Sequence, residues 1–455
     1  MSNPFNNSDT CLSLYPVAKE NLERWLADLP AFQRQWLADT GFSAKAGELG
    51  SLPGEDGGLQ AYVFGTKEAG WLYQLAPLVD KLPPGEYRLV SGWDPEQRLQ
   101  ASLGWGLACY QFDLYCKPEN ESPSLYLDDD IAEAARHLLE AQSLVRDLVN
   151  TPTEDMGPGQ LADAMRMQAD EFDADMSVIQ GVELLNENYP AIHAVGRAAE
   201  REPRLLRMEW GDEDHPLLAL CGKGVCFDTG GLNLKPASGM GLMKKDMGGA
   251  AHVLALARLV MQAQLPVHLL VLIPAVENAV SGNAYRPGDV IPTRKGLSVE
   301  IGNTDAEGRV VLADALALAC ELEPDFVVDF ATLTGAARIA LGTDLPPVFS
   351  NDVRIANDIV AAGEAAEDPM WVMPLYAPYK ELLKSEIADL NNMASTPMGG
   401  CITAALFLEH FVTEQTPWVH IDTWAWNQGA RPGRPPGGEA MGMRAVFRYL
   451  QKRYS

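Results

Sequence analysis

Residues 300–310 read EIGNTDAEGRV, and within them Asp305 and Glu307 stand one residue apart and are followed by Gly308 and Arg309. Taken alone, an acidic pair in a turn is ordinarily a solvated loop. Two upstream stretches change that reading. GKGVCFDTGGLNLKP (222–236) brings Lys223, Asp228 and Lys235, and MKKDMGGAAHV (243–253) brings Asp246. Glycines flank these residues and let backbone approach a ligand closely. If the carboxylates of these three stretches meet at one point they repel one another strongly, and a bound cation is the simplest remedy.

The sequence around these stretches alternates between two patterns. Apolar runs at 217–222 (LLALCG), 267–276 (VHLLVLIPAV), 326–333 (FVVDFATL) and 418–424 (WVHIDTW) read as buried strands, and the Ala/Leu-rich segments 248–264 and 307–323 read as helices. Near-continuous apolar strands with helical crossovers predict a mostly parallel sheet covered on both faces. Ligands gather at the carboxyl ends of such strands. Lys223 and Asp228 follow the first run, and Thr332 to Gly335 follow the third. Asp246 precedes a helical segment and, by itself, could serve simply as its N-cap.

Towards the N-terminus the first 14 residues are polar and read as loose. From Pro16 to Thr40 the apolar residues recur at roughly helical spacing, with a break near Pro30. Short apolar runs at 61, 71 and 87 complete a small α/β domain over 1–125. The stretch IAEAARHLLEAQSLVRDLV has helical periodicity without glycine or proline and makes 126–150 a linker helix. Pro152 and the Gly157-Pro158 pair mark the entry into a larger C-terminal domain, 151–455. The Gly/Pro-rich GARPGRPPGG (429–438) reads as one exposed loop. The fold class expected is therefore α/β: a small N-terminal α/β domain and a larger domain built on a mostly parallel central sheet covered by helices.

The NTDAEGR run (303–309), the GKG-x-x-FD-x-GG-x-x-x-KP loop, the M-x-x-DMGGAA segment and VEN-x-x-SGNAYRPGDVI (276–291) together closely resemble the leucyl aminopeptidase family, two-metal cytosolic exopeptidases. The resemblance runs from about Leu103 to the C-terminus, whereas the first hundred residues match no N-terminal domain. It implies that 151–455 is the catalytic domain. It also implies two divalent ions, Zn or Mn, one held by Lys223, Asp228, Asp246 and Glu307 and the other by Asp228, Asp305 and Glu307. Only a neutral amine can coordinate, so Lys223 would need a lowered pKa. By the same resemblance Lys235 stabilises the oxyanion of the tetrahedral intermediate, and Arg309 holds a bicarbonate ion that serves as general base. Met243, Thr332, Gly335 and Met441 would form an apolar pocket for the first side chain, giving a graded preference for leucine or other neutral residues.

The expected substrates are peptides with a free N-terminus, and the expected assembly is a homohexamer in the cytoplasm. A dipeptidase of the same family is the nearest alternative. A non-catalytic DNA-binding regulator is the alternative from another class. After the HxD at 420–422 the segment HIDTWAWNQGARPGRPPGG departs from the family's small-residue sequence, and its Trp424 and Trp426 are positioned to reshape the pocket rim or a subunit contact.

Composition narrows the field further. The chain has 455 residues, too many for one core. Its formal charge of −27 repels phosphate backbones and argues against nucleic acid as a general partner. Seven scattered cysteines form no CxxC pair, which argues against a disulfide framework or a zinc ribbon; Cys226, inside the first loop, reads as a small buried hydrophobe. No histidine pair forms an HExxH motif. No export signal and no apolar run of membrane-spanning length is visible.

Overall fold

The computed structural model describes residues 3–6, 11–117 and 121–455. The buried apolar runs of the larger part assemble into a nine-stranded sheet. Four parallel strands occupy its middle, in the order Trp418–Asp422, Phe326–Ala331, Leu217–Gly222 and His268–Asn278. Every residue of Phe326–Ala331 and Trp418–Asp422 is buried, as expected of strands with neighbours on both sides and helices over their faces. Antiparallel strands close the two flanks, Pro347–Ser350 against Trp418–Asp422 and Arg204–Trp210 against His268–Asn278. The short strand Gly224–Asp228 continues the chain beyond Gly222 and pairs in parallel with the far end of His268–Asn278.

The helices Gly248–Gln262 and Glu307–Glu321 end about two residues earlier than periodicity suggests. Each is followed by a residue in the left-handed region, Gln264 with φ of 48° and Glu323 with φ of 52°. Such a residue closes the last helical turn and redirects the chain, which apolar spacing alone does not reveal.

The N-terminal part carries its own six-stranded sheet, ordered Phe5–Asn6, Ser124–Tyr126, Glu86–Leu89, Leu12–Val17, Leu59–Gly65 and Leu49–Pro53. All neighbours are parallel except the last pair. The loose N-terminus expected from the sequence is corrected here. Within 1–14, residues 1–2 and 7–10 lie outside the described ones, but Phe5–Asn6 and Leu12–Val17 are strands, with Leu14 and Val17 buried. The helical reading from Pro16 holds only after the strand ends: short helices run over Leu22–Ala27 and Ala31–Asp39, on either side of Pro30.

The chain separates into two units, one of Met1–Ser143 with Gln428–Pro436, the other of Leu144–Asn427 with Gly437–Ser455. The division falls inside the long helix Asp129–Asn150 rather than at its ends. It also splits the Gly/Pro-rich loop, because Gly437–Gly438 pairs with Trp426–Asn427 in a two-stranded ladder. Among the described residues no two cysteines form a disulfide, and no helix is long and apolar enough to cross a membrane.

Candidate functional site

The site forms where the central strands end. Lys223 follows Leu217–Gly222 directly and its backbone N–H donates to Phe330 O at 3.0 Å, which extends the strand pairing by one residue. The N-terminal turn of Gly248–Gln262 abuts this point, with Ala250 N–H donating to Lys223 O at 2.9 Å. A methyl group at Gly249 would fall 2.1 Å from Phe330 O, so the approach requires glycine. Asp246 lies in the 3-10 turn Met243–Met247 just before that helix and does not cap it; the cap position is Met247. Its carboxylate instead accepts from Thr332 Oγ1 at 2.8 Å and meets Lys223 Nζ at 2.7 Å.

Asp305 lies on the turn before the helix Glu307–Glu321, and Glu307 is the first residue of that helix. This turn is fixed to the loop after Asp228 through Thr304 and Asn233. Thr304 N–H donates to Asn233 Oδ1 at 2.8 Å, Asn233 N–H donates to Thr304 Oγ1 at 2.8 Å, and Thr304 Oγ1 donates to Gly230 O at 2.6 Å. Asn278, the last residue of its strand, ties both segments together by donating from Nδ2 to Asp228 Oδ1 at 2.8 Å and to Thr304 O at 3.0 Å. Gly230 and Gly231 adopt positive φ, 85° and 61°, and Asp228 Oδ1 accepts from Gly230 N–H at 2.8 Å.

The three stretches singled out in the sequence therefore converge. One carboxylate oxygen from each of Asp228, Asp305 and Glu307 lies within 4.8 Å of the others. Lys223 Nζ sits 2.7 Å from Asp246 and 2.9 Å from Glu307, and Lys235 Nζ sits 2.8 Å from Asp228 and 2.5 Å from Asp305. Four carboxylates thus surround two ammonium groups. Glu307 Oε2 is buried with no hydrogen-bond partner among the described residues. An excess of hard oxygen donors around one point, one of them orphaned, fits divalent cations such as Zn, Mn or Mg.

Electrostatics follow from this crowding. Burial and the Asp228 carboxylate push Glu307 up to about 8. Burial and Asp246 likewise raise Asp228 to about 6, against the pull of Lys235 and Lys223. Burial opposes the charged form of Asp246 too, but Lys223 and Lys245 outweigh it and its pKa falls. Burial alone would lower Lys223, yet Asp246, Glu307 and Asp228 prevail and raise it. With protein groups alone Lys223 is held as an ammonium, the reverse of the neutral amine that coordination requires. The negative cage that retains this proton is the same one that would retain a divalent ion in its place.

Arg309 reaches the same cleft. Its Nη1 donates to Asn392 O at 2.8 Å, while its buried Nε has no partner among the described residues. Burial pulls its pKa down to about 10, so the guanidinium stays charged at neutral pH. An orphaned guanidinium donor fits a small planar anion.

The cleft has a volume of about 110 Å³ and is lined by the five candidate ligands, by Lys235 and Arg309, and by Met243, Thr332 and Gly335. Met441 is not brought to it. That residue is buried elsewhere, its backbone N–H donating to His252 Nε2 at 2.9 Å. Two lining residues escaped sequence reading, Lys245 and Arg338. Lys245 Nζ lies 4.0 Å and Arg338 Cζ 3.7 Å from the centroid of the Trp424 ring. The position of Lys245, beside Asp246, was the available signal for one; nothing in GAARIAL marks Arg338.

Comparison with known proteins agrees with the geometry. The family model described as the cytosol aminopeptidase family, catalytic domain, matches residues 143–447, and the M17 aminopeptidase N-terminal domain matches residues 12–128. The second match supplies the N-terminal relationship that sequence reading did not find. A probable cytosol aminopeptidase of Roseiflexus castenholzii is 40% identical over 356 residues, 75% of this chain and 72% of the relative. One from Rhodopirellula baltica is 36% identical over 442 residues, 90% of this chain and 86% of the relative. Among solved structures, the cytosol aminopeptidase of Coxiella burnetii is 47% identical with a TM-score of 0.96, covering 99% of both chains. The bottromycin maturation enzyme BotP in complex with Mn is 33% identical with a TM-score of 0.87, covering 98% of this chain and 99% of its own.

Proposed function

Because the chain belongs to the cytosol aminopeptidase family, a family of metal-dependent enzymes that hydrolyse peptides from the N-terminus, we propose that Lys223, Asp228, Asp246, Asp305 and Glu307 hold two divalent ions that act on peptides with a free N-terminal amine. The convergence of Asp228, Asp305 and Glu307 oxygens within 4.8 Å carries this reading. Two ions bound there supply Lewis-acid polarisation of the scissile carbonyl and a water acidified towards neutrality. Manganese is the first ion to try, since the solved BotP complex contains it.

The chain's own residues supply the rest. Asp228 and Glu307 would be ligands shared by the two ions, with Asn278 and the Gly230 backbone fixing Asp228. Lys235 stays charged, because Asp228 and Glu307 outweigh the effect of its burial. Its ammonium is suited to donate to the oxyanion that develops when the peptide carbonyl becomes tetrahedral. Arg309 would hold bicarbonate through its unpaired Nε, placing a proton acceptor in the cleft. The hexamer and a cytoplasmic location follow from family resemblance, and light scattering in solution tests the former.

The test is release of the first residue from a panel of neutral and acidic aminoacyl p-nitroanilides. Activity on at least one of them, abolished by chelation, restored by Mn or Zn, and absent on N-acetylated substrate, is expected. Glu307→Ala, verified as folded, should remain inactive at any metal concentration. Equal activity of this variant and the parent after metal addition would refute the assignment.

A further inference from the structure

Lys245 is 1% exposed, yet its Nζ makes no hydrogen bond and no ion pair among the described residues, and it lies over the face of Trp424, 4.0 Å from the ring centroid. Arg338 is placed similarly. Its guanidinium lies 3.7 Å from the same ring, donates from Nη1 to Thr334 O at 3.3 Å and forms no ion pair among the described residues. Both line the cleft together with Met243, Thr332 and Gly335, the residues expected to meet the first side chain of a substrate. Two basic side chains buried in one small cleft, neither in an ion pair among the described residues, are costly.

The two carboxylates that act on them, Asp422 and Asp246, are hydrogen-bonded or paired elsewhere and form no ion pair with either among the described residues. Asp422 is taken up by the turn after Ala331: Oδ1 accepts from Leu333 N–H at 2.9 Å and Thr334 N–H at 3.1 Å, and Oδ2 accepts from Thr334 Oγ1 at 2.6 Å. Asp246 is engaged by Lys223 and Thr332. The donors of Lys245 and Arg338 are therefore left facing the cleft, held there by stacking on a tryptophan that belongs to the segment departing from the family pattern. An apolar side chain entering such a pocket would bury both donors against hydrocarbon. A carboxylate would satisfy them.

We infer that this pocket selects an acidic first residue, its side-chain carboxylate received by Lys245 and Arg338 beside Trp424, in place of the neutral or leucine preference that family resemblance implies. The inference rests on the aminopeptidase reading and names the substrate class for it. A pocket built to hydrogen-bond a charged group discriminates strongly against isosteres that lack it, whereas an apolar pocket discriminates only weakly.

The test compares matched substrates on the metal-loaded enzyme: glutamyl against glutaminyl, aspartyl against asparaginyl, and leucyl and alanyl p-nitroanilides. Glutamyl or aspartyl should exceed its amide isostere by at least about tenfold in kcat/KM. Calorimetry of the same protein should detect free L-glutamate or L-aspartate binding more tightly than L-norleucine. Arg338→Gln and Lys245→Met should each move the acidic-to-leucyl ratio towards leucine. A wild-type preference for leucyl over both acidic substrates overturns the inference while leaving the aminopeptidase reading intact. So does a preference for alanyl over every larger residue, which would mean that Trp424 and its two cations only fill the pocket. Failure to release any residue from the panel would sink the aminopeptidase reading itself.

Discussion

Gly308 lies against Lys223: a methyl group at residue 308 would fall 2.5 Å from Lys223 Cε and 2.7 Å from Nζ. The glycine of the acidic turn is therefore there to admit a side chain from a segment 85 positions earlier. Gly308→Ala should spare the fold, since alanine is favoured over glycine in a helix by about 0.5–1 kcal/mol. It should displace the Lys223 amine from Asp246 and Glu307. We expect unchanged circular dichroism and a fall in metal affinity of roughly 10–100-fold, read by competition with a fluorescent chelator. Unaltered affinity would mean that Lys223 plays no part in metal binding.

Lys223 Nζ also pairs with the buried Asp246 and Glu307 when no ion does so. Lys223→Met keeps the volume and removes the charge, which leaves Asp246 and Glu307 facing each other in a buried site. The metal-stripped variant should lose about 3–5 kcal/mol of stability in urea titration. Added Mn should return part of that loss, because a cation binding the native state alone stabilises it by mass action. A deficit that is the same with and without metal would contradict this account.

How much of this was readable beforehand differs from part to part. The acidic turn, the two glycine loops and the central strands were legible because each has a local signature: burial on both faces writes apolar runs, and close approach of backbones writes glycines. The N-terminal strands Phe5–Asn6 and Leu12–Val17 were not, because each buries only one or two residues, and in the second Tyr15 and Pro16 stand between the buried Leu14 and Val17. Nor was the pairing of Lys245 and Arg338 on Trp424. Those residues lie in three different stretches with no pattern of their own, and only the fold sets them around one ring. Conversely Met441, placed in the pocket by resemblance, is drawn away by the contact of its backbone with His252.

Asn278 offers a test of the support beneath the ligands. It is 1% exposed and donates to both Asp228 Oδ1 and Thr304 O, thereby setting the distance between two ligand-bearing loops. Asn278→Leu retains the shape and removes the donor, leaving Thr304 O with the Tyr285 hydroxyl at 2.6 Å. Metal affinity should fall by about 10–100-fold, and kcat/KM at limiting metal should fall with it. Saturating metal should recover much of the rate, which separates a residue that positions ligands from one that reacts. A rate defect that persists in full at saturation would assign Asn278 a different role.

Acid stability should depend on His252, which is wholly buried in the helix Gly248–Gln262. Its Nδ1 lies 2.6 Å from Gly248 O and its Nε2 accepts from Met441 N–H at 2.9 Å, so the neutral ring carries its proton on Nδ1 and has no lone pair to spare. Burial pushes its pKa down to about 4, although the Gly248 carbonyl and Asp368 pull the other way. The unfolded chain takes up a proton near pH 6.5, whereas the folded one resists until about 4. The contribution is thus fully present above pH 6.5 and is lost as pH falls through that window, on the order of 3 kcal/mol in all. His252→Phe abolishes this term along with the two hydrogen bonds. In metal-free buffer the stability gap between the parent and this variant should narrow steadily from pH 6.5 to pH 4. A gap that stays constant over that range would show that His252 is protonated in the folded protein.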